Sequence, residues 1–212
     1  MKTRDRIVAT ALGLFNEQGY GAVTTAMLAA QCGIAEGNLW YHFKTRAVLL
    51  DAIGERFASS IEARLAMRPG SDPLGDYAAL LEAVMAEFRA FRFIYRDQRA
   101  YGDDAEMVSN NAPRWLEMTF DQVEAYLASL VDIGLLDWPR ERLRDLAINS
   151  TIILRYGLEH YRELGEPITE GAGAVRRTLR RQLTLFEHRL EPAAANRLQA
   201  AIEAMGEEAL AA

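Results

Sequence analysis

Between residues 24 and 46 the chain collects side chains whose chemistry suits a nucleic acid. Thr24 and Thr25 stand at the expected start of a short helix, where hydroxyls and free backbone N–H groups suit a phosphate oxygen. Tyr41, His42, Lys44 and Arg46 add a phenol, an imidazole and two cations at the far end of the stretch, a phosphate-gripping set. Between these grips lie Glu36, Gly37 and Asn38, on the exposed start of a second short helix. Asn38 has the donor and acceptor that pair with adenine, and Glu36 can accept from a cytosine amino group. Gly37 permits close backbone approach.

These groups need elements to hold them. Apolar spacing predicts a first helix from Thr3 to Gln18, with Ile7, Ala11, Leu14 and Phe15 buried, stopping before Gly19. Thr25 to Cys32 reads as a short helix, Gly33-Ile34-Ala35 as a tight turn, and Glu36 to about Phe43 as a second short helix. That is a helix-turn-helix, whose second helix enters the major groove while the first lies across the backbone. Thr45 is placed to cap a longer helix from Arg46 to about Met67.

The stretch from Ile7 to Ile53 resembles the N-terminal domain of the TetR family of bacterial transcriptional regulators. The resemblance rests on Ala11, Phe15, Gly19-Tyr20, Thr24-Thr25, Leu28-Ala29, Gly33-Ile34, Gly37-Asn38-Leu39-Trp40-Tyr41-His42-Phe43-Lys44 and Leu49-Leu50. It implies DNA contacts at Thr25, Gly37, Asn38, Tyr41, His42 and Lys44. The chain departs from the pattern at Ala35, where relatives often place a capping serine, at Ala26, where some carry a basic residue, and at the acidic Glu36. Trp40, Phe43, Leu39 and Tyr20 are read as packing, and Cys32 as a small buried hydrophobe.

Beyond this head nearly everything reads as helix. After the breaker Pro69-Gly70-Ser71-Asp72-Pro73, a helix from Leu74 to about Arg96 carries Tyr77, Leu81, Val84, Phe88, Phe91 and Tyr95 on one face. A polar loop with room for one short turn of helix is expected from Gly102 to Asn111, then helices from Pro113 to about Ile133, Pro139 to about Leu164, Glu170 to Leu190 and Pro192 to Met205. The expectation is an all-α protein: a three-helix helix-turn-helix domain over residues 1–46 and a helical bundle for ligand binding and dimerisation over residues 47–212.

Charge agrees with that division. Residues 1–46 hold five basic against three acidic residues and both lysines of the chain, while the whole chain of 212 residues carries −6. A small basic head on an acidic body suits a protein that meets an anion at one end. No apolar run reaches the ~18 residues of a membrane span, and no signal-type segment opens the sequence, so a cytoplasmic protein is expected. One cysteine excludes an intramolecular disulfide and a multi-cysteine metal site. Ser59-Ser60, His160 and His188 form no recognisable nucleophile arrangement, and no two histidines are spaced i, i+4. No enzyme, metal or cofactor is expected.

The family resemblance implies an inducer pocket in the body, apolar with a few polar groups. Phe88, Trp115, Phe120, Asn149, Arg155 and Tyr156 are the candidates to line it. The basic stripe Arg176-Arg177 and Arg180-Arg181 reads as a solvated or subunit-interface face. The function expected is a ligand-responsive transcriptional regulator, a repressor binding a palindromic operator as a homodimer, with Arg46–Met67 as the connecting lever. One short reading helix per chain makes too little contact alone, whereas a dimer offers two, ~34 Å apart. The alternative is a DNA-bound scaffold whose body binds a protein partner.

Overall fold

The computed structural model describes residues 2–168 and 173–205. Among these residues the regular structure is helical, apart from one bridge between Leu136 and Leu190. The head follows its sequence closely. α1 (Thr3–Gln18) buries Ile7, Val8, Ala11 and Phe15, and Gly19 ends it at φ 91°, a value that side chains rarely adopt. α2 (Thr25–Cys32) starts with the Thr24 hydroxyl accepting from Met27 N at 3.2 Å. Gly33 closes it in the left-handed region at φ 64°, and Ile34 N reaches back to Ala29 O at 3.0 Å. α3 (Glu36–His42) follows, its cap position held by Ala35 without a side-chain bond. Thr45 caps α4 (Arg46–Leu65) by accepting from Val48 N at 3.2 Å.

The helix expected from Leu74 to Arg96 is broken. α5 (Pro73–Ala90) ends before Phe91, and α6 (Arg92–Arg96) and α7 (Gln98–Tyr101) follow as separate short helices. The loop expected from Gly102 to Asn111 is instead a turn of 3-10 helix and the first turns of α8 (Glu106–Asp132). Packing overrides polarity there. Gly54 of α4 lets α8 approach so closely that a Cβ would meet Met107 Cε at 2.7 Å and Val108 Cγ2 at 3.2 Å. Pro113 is accommodated inside α8. α9 (Leu143–Glu163) begins four residues after Pro139, with 3-10 turn between. Of the helix expected from Glu170, residues 170–172 lie outside the described residues, and α10 (Ala174–Leu183) ends earlier than Leu190. α11 (Pro192–Ala204) starts with proline at its first turn and the Glu191 carboxylate accepting from Ala194 N.

By packing the chain forms two compact units. One comprises residues 2–62 with Arg89–Pro113, and the other Ala63–Phe88 with the described residues from Arg114 onward. The head that packs as one unit is therefore wider than residues 1–46, because α6, α7 and the start of α8 build onto α1 and α4. Ile7, Phe15, Leu28, Phe43, Leu50 and Ile53 are fully buried in it, each contributing roughly 1.5–3 kcal/mol of burial. In the second unit the core centres on Tyr77, Leu80, Tyr126, Tyr161 and Phe186. α9 and α10 pack tightly at Gly157, where a Cβ would meet Thr178 Cγ2 at 2.3 Å.

Candidate nucleic-acid interface

α3 is anchored by one side and free on the other. Leu39 is buried, as is Phe43 just beyond the helix, whereas Glu36, Gly37, Asn38, Trp40 and Tyr41 are exposed. Tyr41 is 81% exposed and stands edge-to-face with His42, centroids 5.4 Å apart. Trp40, expected to pack, is 40% exposed, because its position on a seven-residue helix turns it outward beside Gly37. Lys44 is exposed in the turn after the helix.

Two expected phosphate grips already have partners. Thr24 Oγ1 is engaged as the α2 cap. Arg46 is the clearest correction to the sequence reading. Its Nη1 donates to Val23 O at 2.6 Å, its Nη2 donates to Tyr20 O, and its guanidinium lies 4.1 Å from the Tyr20 ring centroid. It clamps the head together from inside, leaving little reach for a phosphate. Thr25 Oγ1 donates to Glu36 Oε1 at 3.1 Å, so the acidic residue of the reading helix is tethered to α2. That bond occupies one carboxylate oxygen of the exposed Glu36.

Sequence reading missed Arg4, whose guanidinium stacks 4.9 Å from the Phe43 centroid and adds an exposed cation beside the Lys44 turn. It missed the support beneath the motif as well. Tyr20 N donates to Asp97 Oδ2 at 2.7 Å and Tyr20 Oη to Asp104 Oδ2 at 2.9 Å. Burial, with Asp104 accepting the proton, pushes the Tyr20 phenol up to about 12. No local signal could have paired residues 77 and 84 positions apart.

The six ligand candidates lie on α5, α8 and α9, and none of them bounds the cavity between Met67 and Tyr126. Phe88 is buried in the α5 core, while Trp115 and Phe120 are half-buried on α8, Phe120 beneath the Arg144 guanidinium. Asn149 and Tyr156 face solvent on α9, and half-buried Arg155 lies over the Tyr156 ring. A cavity of about 250 Å³ in the body is bounded instead by Leu65, Met67, Pro69, Met118, Gln122 and Tyr126. Beside it sits a buried network that the sequence did not announce. Arg64 Nε donates to Glu87 Oε2 at 2.8 Å, Nη1 to Gln122 Oε1 at 2.8 Å and Nη2 to Thr119 Oγ1 at 3.0 Å. Gln122 returns a bond from Nε2 to Arg64 O at 2.7 Å. In the same unit Gln182 Nε2 donates to Tyr77 Oη and Ser150 Oγ, and burial holds the Tyr77 phenol well above its ordinary value. Three arginines of the α10 stripe are engaged at the surface, Arg177 with Glu166, Arg180 with Glu203 and Arg181 with His160.

An exposed three-residue reading turn, a glycine-closed helix pair and a cationic flank define a helix-turn-helix DNA-binding protein. Known proteins agree. The family described as "Bacterial regulatory proteins, tetR family" matches residues 7–53, and the one described as "Bacterial transcriptional repressor" matches residues 56–198. The chain belongs to the TetR family of bacterial transcriptional regulators. The tetracycline repressor protein class C of Escherichia coli is 29% identical over 131 residues, covering 62% of this chain and 54% of that protein. The match thus spans about half the length of that relative. A solved TetR-family transcriptional regulator from Marinobacter aquaeolei VT8 is similar in fold, with TM-score 0.78 at 24% identity over 96% of this chain and 98% of that one. A gamma-butyrolactone receptor shares the fold at TM-score 0.65 and 19% identity, over 95% of this chain and 94% of that one. Among the described residues no helix is long and apolar enough to cross a membrane, and no cluster of three or more metal-ligating side chains occurs.

Proposed function

We propose that this chain is a cytoplasmic repressor that binds a palindromic DNA operator as a homodimer and releases it when a small molecule occupies the body. The observation that carries this reading is the exposed first turn of α3, which offers Glu36, Gly37 and Asn38 together while Leu39 anchors the helix. Thr25, Tyr41, His42 and Lys44 would take phosphates around that turn, with Arg4 as a further cation. Asn38 would read adenine, and Glu36, held by Thr25, would accept from cytosine.

α9 supplies the face that suits a second copy: Asn149, Ile152, Tyr156 and His160 are exposed at helical spacing, Tyr156 to 54%. Asn149 and Tyr156 fit that role better than the pocket role expected of them. A neighbour in fold is by name a gamma-butyrolactone receptor, which supports a small, largely apolar effector here too. Such a molecule would release DNA only by binding one arrangement of the reading helices better than the other.

The deciding experiment uses a duplex selected from a random pool by the wild-type chain. Asn38→Ala is expected to lower affinity for that duplex by ~1–3 kcal/mol and to leave unselected DNA unaffected, in competition binding at one salt concentration. Equal losses on both duplexes would make Asn38 a backbone contact and remove the base-reading role.

A further inference from the structure

The cavity at the end of α4 is walled on one side by a single face of α8. Met118, Asp121, Gln122, Ala125 and Tyr126 follow one another there by alternate steps of three and one, the spacing of neighbours on a helix. Opposite them the chain leaves α4 through Leu65, Met67 and Pro69, and the space between is about 250 Å³. The polar groups around it are largely committed. Gln122 Nε2 donates to Arg64 O at 2.7 Å and to Met67 O at 3.2 Å, and its Oε1 accepts from Arg64 Nη1 at 2.8 Å. Asp121 Oδ1 accepts from Arg144 Nη1 at 2.6 Å, and Arg68 turns back to donate to Met67 O at 2.7 Å.

Tyr126 is the exception. It is 1% exposed, and its hydroxyl has no hydrogen-bond partner among the described residues, whereas a buried phenol ordinarily finds one. Burial raises the phenol above its ordinary value, Asp76 raises it further and Arg68 lowers it, so the group stands as an O–H donor. Arg68, whose charge reaches the hydroxyl, bounds the same cavity.

Size and charge narrow what such a place can hold. An apolar cavity of ~150 Å³ takes benzene, so about 250 Å³ suits a molecule of roughly ten non-hydrogen atoms. Leu65, Met67, Pro69 and Met118 make the walls apolar, and the two thioethers adapt to shape. An anion would gain little: Arg64 is already paired with Glu87 at 2.8 Å, and the exposed Arg68 keeps its charge in water. We infer that this cavity binds a neutral, mainly apolar molecule of that size whose carbonyl oxygen accepts from Tyr126 Oη. The inference rests on the effector reading above for its purpose, but binding itself needs no DNA.

The probes are acetophenone, α-methylstyrene and benzoate, matched in size and carrying in turn a ketone, no polar atom and a negative charge. Methionine-methyl NMR on the full chain, without DNA, reads the site through Met67 and Met118, with Met27 of α2 as the control. Acetophenone is expected to move the Met67 and Met118 signals and to bind about fivefold more tightly than α-methylstyrene, the worth of one neutral hydrogen bond. Benzoate is expected to leave all three signals in place. Tyr126→Phe keeps the ring and loses the hydroxyl, so acetophenone should fall to the affinity of α-methylstyrene, whose own binding stays the same. Ala125→Leu fills the cavity from an exposed position of α8 and should weaken both about tenfold. Still signals at Met67 and Met118 with every probe, or binding untouched by Ala125→Leu, overturn the site. Benzoate bound as tightly as acetophenone overturns the neutral ligand, and Tyr126→Phe binding the ketone as the wild type does overturns the hydrogen bond. Each failure leaves the Asn38 experiment standing, whereas a chain that binds acetophenone here yet selects no duplex keeps the site and loses the regulator.

Discussion

The two units bury polar groups in different ways. In the head, charged and amide side chains bond chiefly to the main chain: Arg46 to Tyr20 O and Val23 O, Arg96 to Phe15 O and Asn16 O, Asn16 to Ala90 O and Phe93 N. In the body, the buried Arg64 bonds to other side chains, Glu87, Gln122 and Thr119, and Gln182 bonds to Tyr77 and Ser150. A main-chain carbonyl is neutral and, near the surface, can turn to water when its partner is lost. A buried charge stripped of its counterion cannot. The body should therefore be the more brittle unit toward single substitutions, while the head tolerates change in its supports and is sensitive in its function.

The largest expected effect tests that brittleness. Glu87→Ala leaves the Arg64 guanidinium charged and buried, and should cost about 3–5 kcal/mol in chemical denaturation. A loss under about 1 kcal/mol would erase the contrast between the units. Arg46→Ala, which frees the Tyr20 and Val23 carbonyls in a half-buried place, should cost ~1–3 kcal/mol of stability. It should leave the salt dependence of DNA binding unchanged, since the clamp faces inward. A salt slope that falls by one would return Arg46 to the phosphate set.

Lys44→Ala should show the converse. Stability stays within about 0.5 kcal/mol, binding weakens on all DNA alike, and the salt slope falls by roughly one. A loss confined to one sequence would count against a phosphate role. The smallest effect concerns the Tyr20 phenol. Its raised value means that the folded state favours the protonated form, so this contribution is whole below the ordinary value of 10.0 and lost as pH rises through about 12. Tyr20→Phe should flatten the fall in stability over that window, and parallel curves for the two proteins would show that the phenol is not linked to folding.

How much could be read in advance differs between the same two regions. Thr24, Gly33 and Thr45 declare α2, the turn and the start of α4 within a few residues of themselves, and the structure places each as its chemistry requires. Leu39 and Phe43 are buried as the short helix demands. Trp40 and Arg46 went otherwise, one turned outward on the exposed side of α3 and one spent on the carbonyls of Tyr20 and Val23. The residues after Gly102 looked like a loop from their polarity, yet Gly54 offers Met107 and Val108 a seat that makes them helical.

By itself, then, the sequence determined the all-helical class, the helix-turn-helix and the exposed first turn of α3, since caps, a left-handed glycine and 3.6-residue spacing act over one or two turns. Only the tertiary structure decided where the long helix breaks, which arginine is a clamp, and that Arg64 and Glu87 share the body's interior. Those outcomes depend on partners 23 to 81 positions apart. At such separations nothing in local spacing tells one acceptor from another, and the choice falls to whichever burial leaves no polar group unpaired.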